Sequence, residues 1–282
     1  MTELRRELGL FSCTMLVAGN MIGIGIFVTA GRIAGNLPNP YLIFTVWILG
    51  GLLSLAGALV YAELATRFPR AGGGYVYLRE AFGPMTGFLS GFSSSLVTIP
   101  GTSAFLAIGF TQYAGITHPI MAQITAVYLI AGISIINYLG VKWGAELQDG
   151  FMVLKLLLIA LLIVAGFLSR NGSLSNFAVS GSLPGSIWVM IPLAMVPVMY
   201  TYSGWDATVY VAGEVRNPSR TITLSLFFGT LLVTLVYLLL AALYISAIPV
   251  TQVLPETEAH KRIATAAAKV FFGENVGSLV GS

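Results

Sequence analysis

The sequence predicts an all-α integral membrane protein of about seven spans, two of them interrupted part-way along. Three observations carry that prediction. The 282 residues are 56% hydrophobic and only 9% charged, with mean hydropathy +0.87, whereas soluble domains carry about 25% charged residues. Seven apolar stretches reach the ~20 residues that a helix needs to cross a bilayer. Two of these stretches are broken by glycine at matching places in the two halves of the chain.

In chain order the spans fall at roughly 8–34, 39–66, 84–112, 120–140, 147–168, 186–215 and 221–248. The first follows Met1-Thr2-Glu3-Leu4-Arg5-Arg6 without a small-residue cleavage pattern, so it reads as a retained helix and not as a signal peptide. Loop charges set the orientation. With the N-terminus inside, the inner loops hold Arg5, Arg6, Arg67, Arg70, Arg79, Lys142, Arg216 and Arg220. The outer segments then hold Arg32, Arg170, Lys261, Arg262 and Lys269. This excess favours a cytoplasmic N-terminus and a multi-pass protein of the plasma (inner) membrane.

Beyond the seventh span, Ala264, Ala267, Ala268 and Phe271 recur at helical spacing in a polar, alanine-rich stretch. They predict a short amphipathic helix, about 256–272, lying on the outer face. Residues 276–282 read as the start of another apolar segment. The inner loop from Tyr61 to Gly83 mixes charges with turn formers and reads as a re-entrant or cytoplasmic hairpin with charge pairs, serving as a gate element. Its Gly72-Gly73-Gly74 run is no phosphate loop, because no Gly-Lys-Ser/Thr follows. The single cysteine, Cys13, lies in an apolar run and reads as a small core residue.

The first interruption reads Gly19-Asn20-Met21-Ile22-Gly23-Ile24-Gly25-Ile26-Phe27, and the second Tyr200-Thr201-Tyr202-Ser203-Gly204-Trp205-Asp206. A helix broken inside lipid leaves peptide groups without partners, which is tolerated only where the break is buried in protein or lines a cavity. Paired breaks in corresponding positions point to a substrate site. A half-helix starting near Ile26 would offer free N–H groups and its positive dipole end to a carboxylate. A half-helix ending near Ile22 would offer carbonyls to an ammonium. One break can thus hold both ends of a zwitterion. Close packing through small residues is the plainer explanation of the glycines, and the matching second break argues against it.

Around the second break, Tyr200, Tyr202 and Trp205 could close over a ligand and stack on its ammonium. Asp206 is expected to cap backbone N–H groups or to pair with another helix. Lys155 stands among apolar neighbours, ~12 Å inside its segment. It is expected to reach the opened carbonyls between Gly19 and Ile22 and to replace a bound cation there.

These motifs, with Gly213-Glu214-Val215-Arg216-Asn217-Pro218 after the second break, resemble the amino acid–polyamine–organocation superfamily in order and spacing over essentially the whole chain. Val141-Lys142-Trp143-Gly144-Ala145-Glu146-Leu147-Gln148-Asp149, leading to Lys155, is similar to the L-type amino acid transporter branch. The resemblance implies two inverted five-helix repeats (5+5), with the first and sixth helices discontinuous, and amino acid transport by alternating access. It divides this single membrane domain, 1–282, into a first repeat at 1–168 and an incomplete second repeat at 186–282.

Residue by residue, the resemblance implies that Gly23, Ile24 and Gly25 take the substrate carboxylate. Met21, Tyr200 and Ser203 would offer carbonyls to its ammonium. Tyr200 and Trp205 would be gate residues, and Lys155 would stand where sodium-coupled relatives hold sodium, implying sodium independence. Two departures concern the site. Ile24 stands where relatives often carry Ser, which removes a hydroxyl, and Asp206 stands where Asn or Glu is common. A third is length: only two helices of the second repeat are present, so missing C-terminal helices or a second chain would be needed for a complete transporter.

Other classes find less support. His118 and His260 lie far apart, and no Cys/His/acid cluster has metal-ligand spacing. No nucleophile elbow or paired carboxylates mark an enzyme, no cofactor or metal is implied, and the basic residues do not cluster for nucleic acid. The alternative is a transporter-like amino acid sensor or membrane scaffold without transport. Asn171-Gly172-Ser173 is a glycosylation sequon of the kind that arises by chance. Apart from Asp206 the breaks carry no obvious extra acid, which favours neutral over cationic substrates.

Overall fold

The structure is a computed structural model describing residues 6–23, 25–68, 70–116, 118–139, 141–178, 185–253 and 263–274. Its helices are α1 (Leu10–Met21), α2 (Gly25–Asn36), α3 (Pro40–Arg67), α4 (Gly74–Phe82), α5 (Pro84–Ser93), α6 (Ile99–Tyr113), α7 (Pro119–Leu139), α8 (Val141–Leu168), α9 (Ile187–Thr201), α10 (Ala207–Tyr210), α11 (Pro218–Ala247) and α12 (Ile263–Phe272). The protein is an all-α membrane protein. Five helical rods among the described residues are long and apolar enough to span: Pro40–Arg67, Pro84–Thr111, Pro119–Tyr138, Gly144–Leu168 and Pro218–Ala247. The other two expected spans are split, one into α1 and α2, the other into α9 and α10.

Local chemistry sets the ends. Asn39 caps α3 by accepting from the amides of Tyr41 at 2.9 Å and Leu42 at 3.3 Å, with Pro40 at the first helical position. Asn217 adopts φ 48° before Pro218 opens α11. The rod of α5 and α6 is interrupted by a wide π-turn at Ser94–Thr98. Pro100 follows it; a proline lacks an N–H and crowds the carbonyl four residues back, and a wider turn relieves that crowding.

The core sits where α11 packs between α1 and α3. Trp47, Tyr202 and Tyr237 are fully buried there, with ring centroids 5.1 to 5.9 Å apart. The Tyr202 hydroxyl donates to the Trp47 carbonyl at 2.9 Å. Gly50 and Gly51 of α3 make room: a Cβ on Gly50 would strike Val198 and Tyr202, and one on Gly51 would strike Thr234. By contrast, α5, α6 and α7 expose most of their apolar side chains.

At one end of the bundle the chain forms a strap. Leu8 and Val215 make an isolated parallel bridge. The Glu7 and Leu8 amides donate to the Glu214 carbonyl, and the Arg216 amide donates to the Leu8 carbonyl at 2.9 Å. At the opposite end α12 packs on α2, α8 and α11, burying Ile263, Ala264, Ala267, Ala268 and Phe271. This is the expected apolar face. Residues 256–262 and 276–282 lie outside the described residues.

Candidate functional site

The first break falls where expected. Helix α1 ends at Met21, and Ile22 leaves the helical region at φ −77°, ψ 85°. Helix α2 restarts at Gly25, so its first-turn amides have no acceptor within the helix. Ile24, between them, lies outside the described residues. A Cβ on Gly23 would meet nothing within 4 Å, so that glycine faces open space.

The second break is longer on one side than the sequence implied. Helix α9 ends at Thr201 after two internal prolines, the chain turns through Gly204 at φ 99°, and α10 is a single turn. A Cβ on Gly204 would lie 3.0 Å from the Asn20 carbonyl oxygen. The two breaks are therefore in contact. Beside them, the Thr29 and Thr201 hydroxyls pair at 2.7 Å and tie α2 to α9.

Two side chains from other helices hold the opened carbonyls. Lys155 of α8 donates its Nζ to the Ile22 carbonyl at 2.6 Å and lies 3.5 Å from that of Gly19. Tyr237 of α11, wholly buried, places its hydroxyl 2.7 Å from the Met21 carbonyl and 3.0 Å from the Thr201 carbonyl. It thus bridges the ends of both interrupted helices. Sequence reasoning missed Tyr237, because a tyrosine in an apolar span carries no signal of its own. The one available clue was that buried phenols need a polar partner.

Not every candidate acceptor is open. The Met21 carbonyl already accepts from the Gly23 amide and from Tyr237. The Tyr200 carbonyl accepts from the Ser203 amide and hydroxyl. The Ser203 carbonyl accepts from no group among the described residues.

The three aromatic residues of the second break divide. Tyr200 lines a cavity of about 640 Å³ together with Gly25, Thr29, Arg32, Phe105 and Val196. Tyr202 is no lid; it is buried against Trp47. Trp205 does not join Tyr200, because the turn at Gly204 sends it the other way. It stands edge-on to Tyr61 at 5.1 Å, in space left by Gly57. Asp206 makes no side-chain cap to α10 and instead accepts from the Tyr210 hydroxyl at 3.3 Å.

The segment from Tyr61 to Gly83, read from the sequence as a loop, is mostly helical, formed by the end of α3 and by α4 with a turn between them, and it closes on the single turn of α10. The Gly72 amide donates to the Tyr210 carbonyl, and Gly73, at φ 49°, abuts Tyr210 and Val209. Two exposed ion pairs, Arg67–Glu63 at 2.5 Å and Arg70–Glu80 at 3.4 Å, brace it. Burial, with the nearby Tyr61, pushes the Tyr77 phenol up to about 12, so it stays neutral in this aromatic cluster. Nearby, the Ser12 hydroxyl of α1 donates to Asp149 of α8 at 2.6 Å. At the opposite end, the Asn171 side-chain amide donates to the Phe271 carbonyl, so the sequon asparagine is engaged in packing.

The chain matches the amino acid permease family over residues 8–281. It is similar to the b(0,+)-type amino acid transporter 1 of Oryctolagus cuniculus, 33% identical over 261 residues, covering 90% of this chain and 54% of that protein. It is also similar to the cystine/glutamate transporter of Homo sapiens, at 32% over 262 residues, covering 89% and 52%. The large neutral amino acids transporter small subunit 2 of Homo sapiens is 30% identical over 292 residues, covering 97% and 51%. The chain therefore spans about half the length of the curated relatives it matches. The match over residues 8–281, with two interrupted helices in contact, identifies the family: the chain belongs to the amino acid permease family.

Proposed function

We propose that the protein carrying this chain is a sodium-independent amino acid carrier that works by alternating access, as an exchanger or a proton-linked carrier. The observation behind this reading is the contact between the two breaks at Asn20 and Gly204, with the Lys155 amine on the carbonyls of the first. The substrate carboxylate binds the free amides at the start of α2, around Gly23, Ile24 and Gly25. Its ammonium binds the Ser203 carbonyl. It also takes the Met21 carbonyl once the single Tyr237 proton moves to Thr201. Tyr200 gates the cavity side of the site and Trp205 the opposite side.

The Lys155 amine supplies a fixed positive charge on carbonyls that could otherwise hold a metal cation, which is the physical basis for independence from sodium. The excess of basic residues in the expected inner loops supports a cytoplasmic N-terminus in a plasma (inner) membrane; in that orientation the strap at Leu8 and Val215 is inside and the cavity beside Tyr200 opens outward. Residues 1–168 act as one repeat and 186–282 as part of a second. Further helices, or a second chain, complete the wall around Lys155.

Uptake of labelled amino acids into proteoliposomes holding the full-length protein tests this reading. Uptake that continues when choline replaces sodium supports it. Saturable binding without uptake would instead make the protein an amino acid sensor, and neither binding nor uptake would reject the reading altogether.

A further inference from the structure

Arg32 was counted with the outer loops on sequence grounds, yet it lies within α2, four residues from its end. Gly25, Thr29, Arg32 and Asn36 all line the cavity. Their spacing of four, three and four residues puts them on one face of the helix. The opposing wall is apolar, made of Leu193, Val196, Pro197 and Tyr200 of α9 and Phe105 of α6. Among the described residues the Arg32 guanidinium forms no ion pair and no hydrogen bond. Among the described residues, Arg32 is thus a cation without an anionic partner, facing a cavity otherwise lined by uncharged side chains.

Distance gives this charge a use. Arg32 is seven residues beyond Gly25, about 10 Å along the axis. Helical side chains lean towards the N-terminus, which brings the guanidinium back towards the opened amides. One cavity then offers two anion-binding groups on one helix face: the start of α2 and the fork of Arg32. Low-dielectric walls strengthen the attraction of such a cation for an anion, and guanidinium–carboxylate hydrogen bonds are among the stronger ones in proteins.

We propose that Arg32 selects for amino acids bearing a side-chain carboxylate, its guanidinium binding the second carboxylate while the start of α2 holds the first. This rests on the carrier reading above and adds the substrate's charge class to it. A cationic side chain is repelled by the same group.

Glutamate and glutamine provide the test, since they differ in charge and scarcely in shape. The full-length protein is purified, and ligand-induced thermal stabilisation and proteoliposome uptake are measured for both. In the wild type, glutamate is expected to bind and enter in preference to glutamine. Arg32→Gln is expected to lower the glutamate-to-glutamine ratio about tenfold or more, and Arg32→Lys to keep part of the preference. An unchanged ratio in Arg32→Gln, or a wild type that prefers glutamine, overturns the proposal. If the variant does not fold, ionic strength provides a second measurement. Wild-type glutamate binding must weaken relative to glutamine as salt rises, and a flat ratio overturns the proposal equally. A wild type that binds no amino acid at all removes the carrier reading itself, a result seen before any variant is made.

Discussion

The Tyr237 hydroxyl lies 2.7 Å from the Met21 carbonyl and only 0.3 Å further, at 3.0 Å, from that of Thr201. It has one proton for two acceptors, each at the end of an interrupted helix. It can satisfy either, and whichever it leaves becomes free for another donor. A buried group with two near-equal partners is a natural point for coupling the two breaks.

Tyr237→Phe removes that donor, leaving the Thr201 carbonyl without it and the Met21 carbonyl with the Gly23 amide alone. The expected loss of stability is about 1–3 kcal/mol, with uptake falling more than the loss of folded protein explains. Thermal unfolding and uptake per folded molecule are compared with wild type. Wild-type uptake in a destabilised variant would reduce Tyr237 to a packing role.

Lys155→Ala is expected to abolish uptake in protein that still folds, because the Ile22 carbonyl loses its donor at 2.6 Å and the site loses its fixed charge. Chromatographic behaviour establishes folding and the transport assay reads function. Unchanged uptake would remove Lys155 from the mechanism.

Gly204→Ala meets two obstacles: a backbone at φ 99° and the Asn20 carbonyl oxygen 3.0 Å from the new methyl. The left-handed conformation alone costs about 1–2 kcal/mol for an L side chain, and the contact adds to it. The unfolding temperature should fall and substrate binding weaken together. A neutral substitution would mean that the two breaks are not held in contact.

Ser12→Ala removes the 2.6 Å hydrogen bond that ties α1 to Asp149 of α8. The neighbouring Cys13 is fully buried and free, so it reports on the tie. Maleimide labelling of Cys13, located by peptide mass, should accelerate in the variant and slow again when substrate is added. An unaltered labelling rate would show that α1 does not rely on this bond.

Much of this arrangement was legible because glycine is informative in an apolar span. Gly23, Gly25 and Gly204 marked both breaks, and Lys155 was conspicuous by its charge. The ends of the helices were less so. Nothing in Thr208 and Val209 foretells that α10 stops after one turn, since the contacts that shape it come from Gly73 and Cys13, distant in sequence. Hydrogen-bond saturation was also hidden: Met21 and Tyr200 look like open acceptors until Tyr237, Gly23 and Ser203 are placed around them. Trp205 and Tyr202 read as neighbours of Tyr200, but the turn at Gly204 sends Trp205 towards Tyr61, and Tyr202 is buried against Trp47 and Tyr237.

The bridge between Leu8 and Val215 makes the chain's first turn a mechanical partner of the segment that follows α10. If α1 tilts as a lever, it must either drag residues 214–216 along or shear main-chain bonds worth on the order of 1 kcal/mol each. The two discontinuous helices are thereby yoked at the strap end of the bundle as well as at their midpoints. Moving either arm without the other therefore breaks these bonds, so a joint swing of both is the less costly motion.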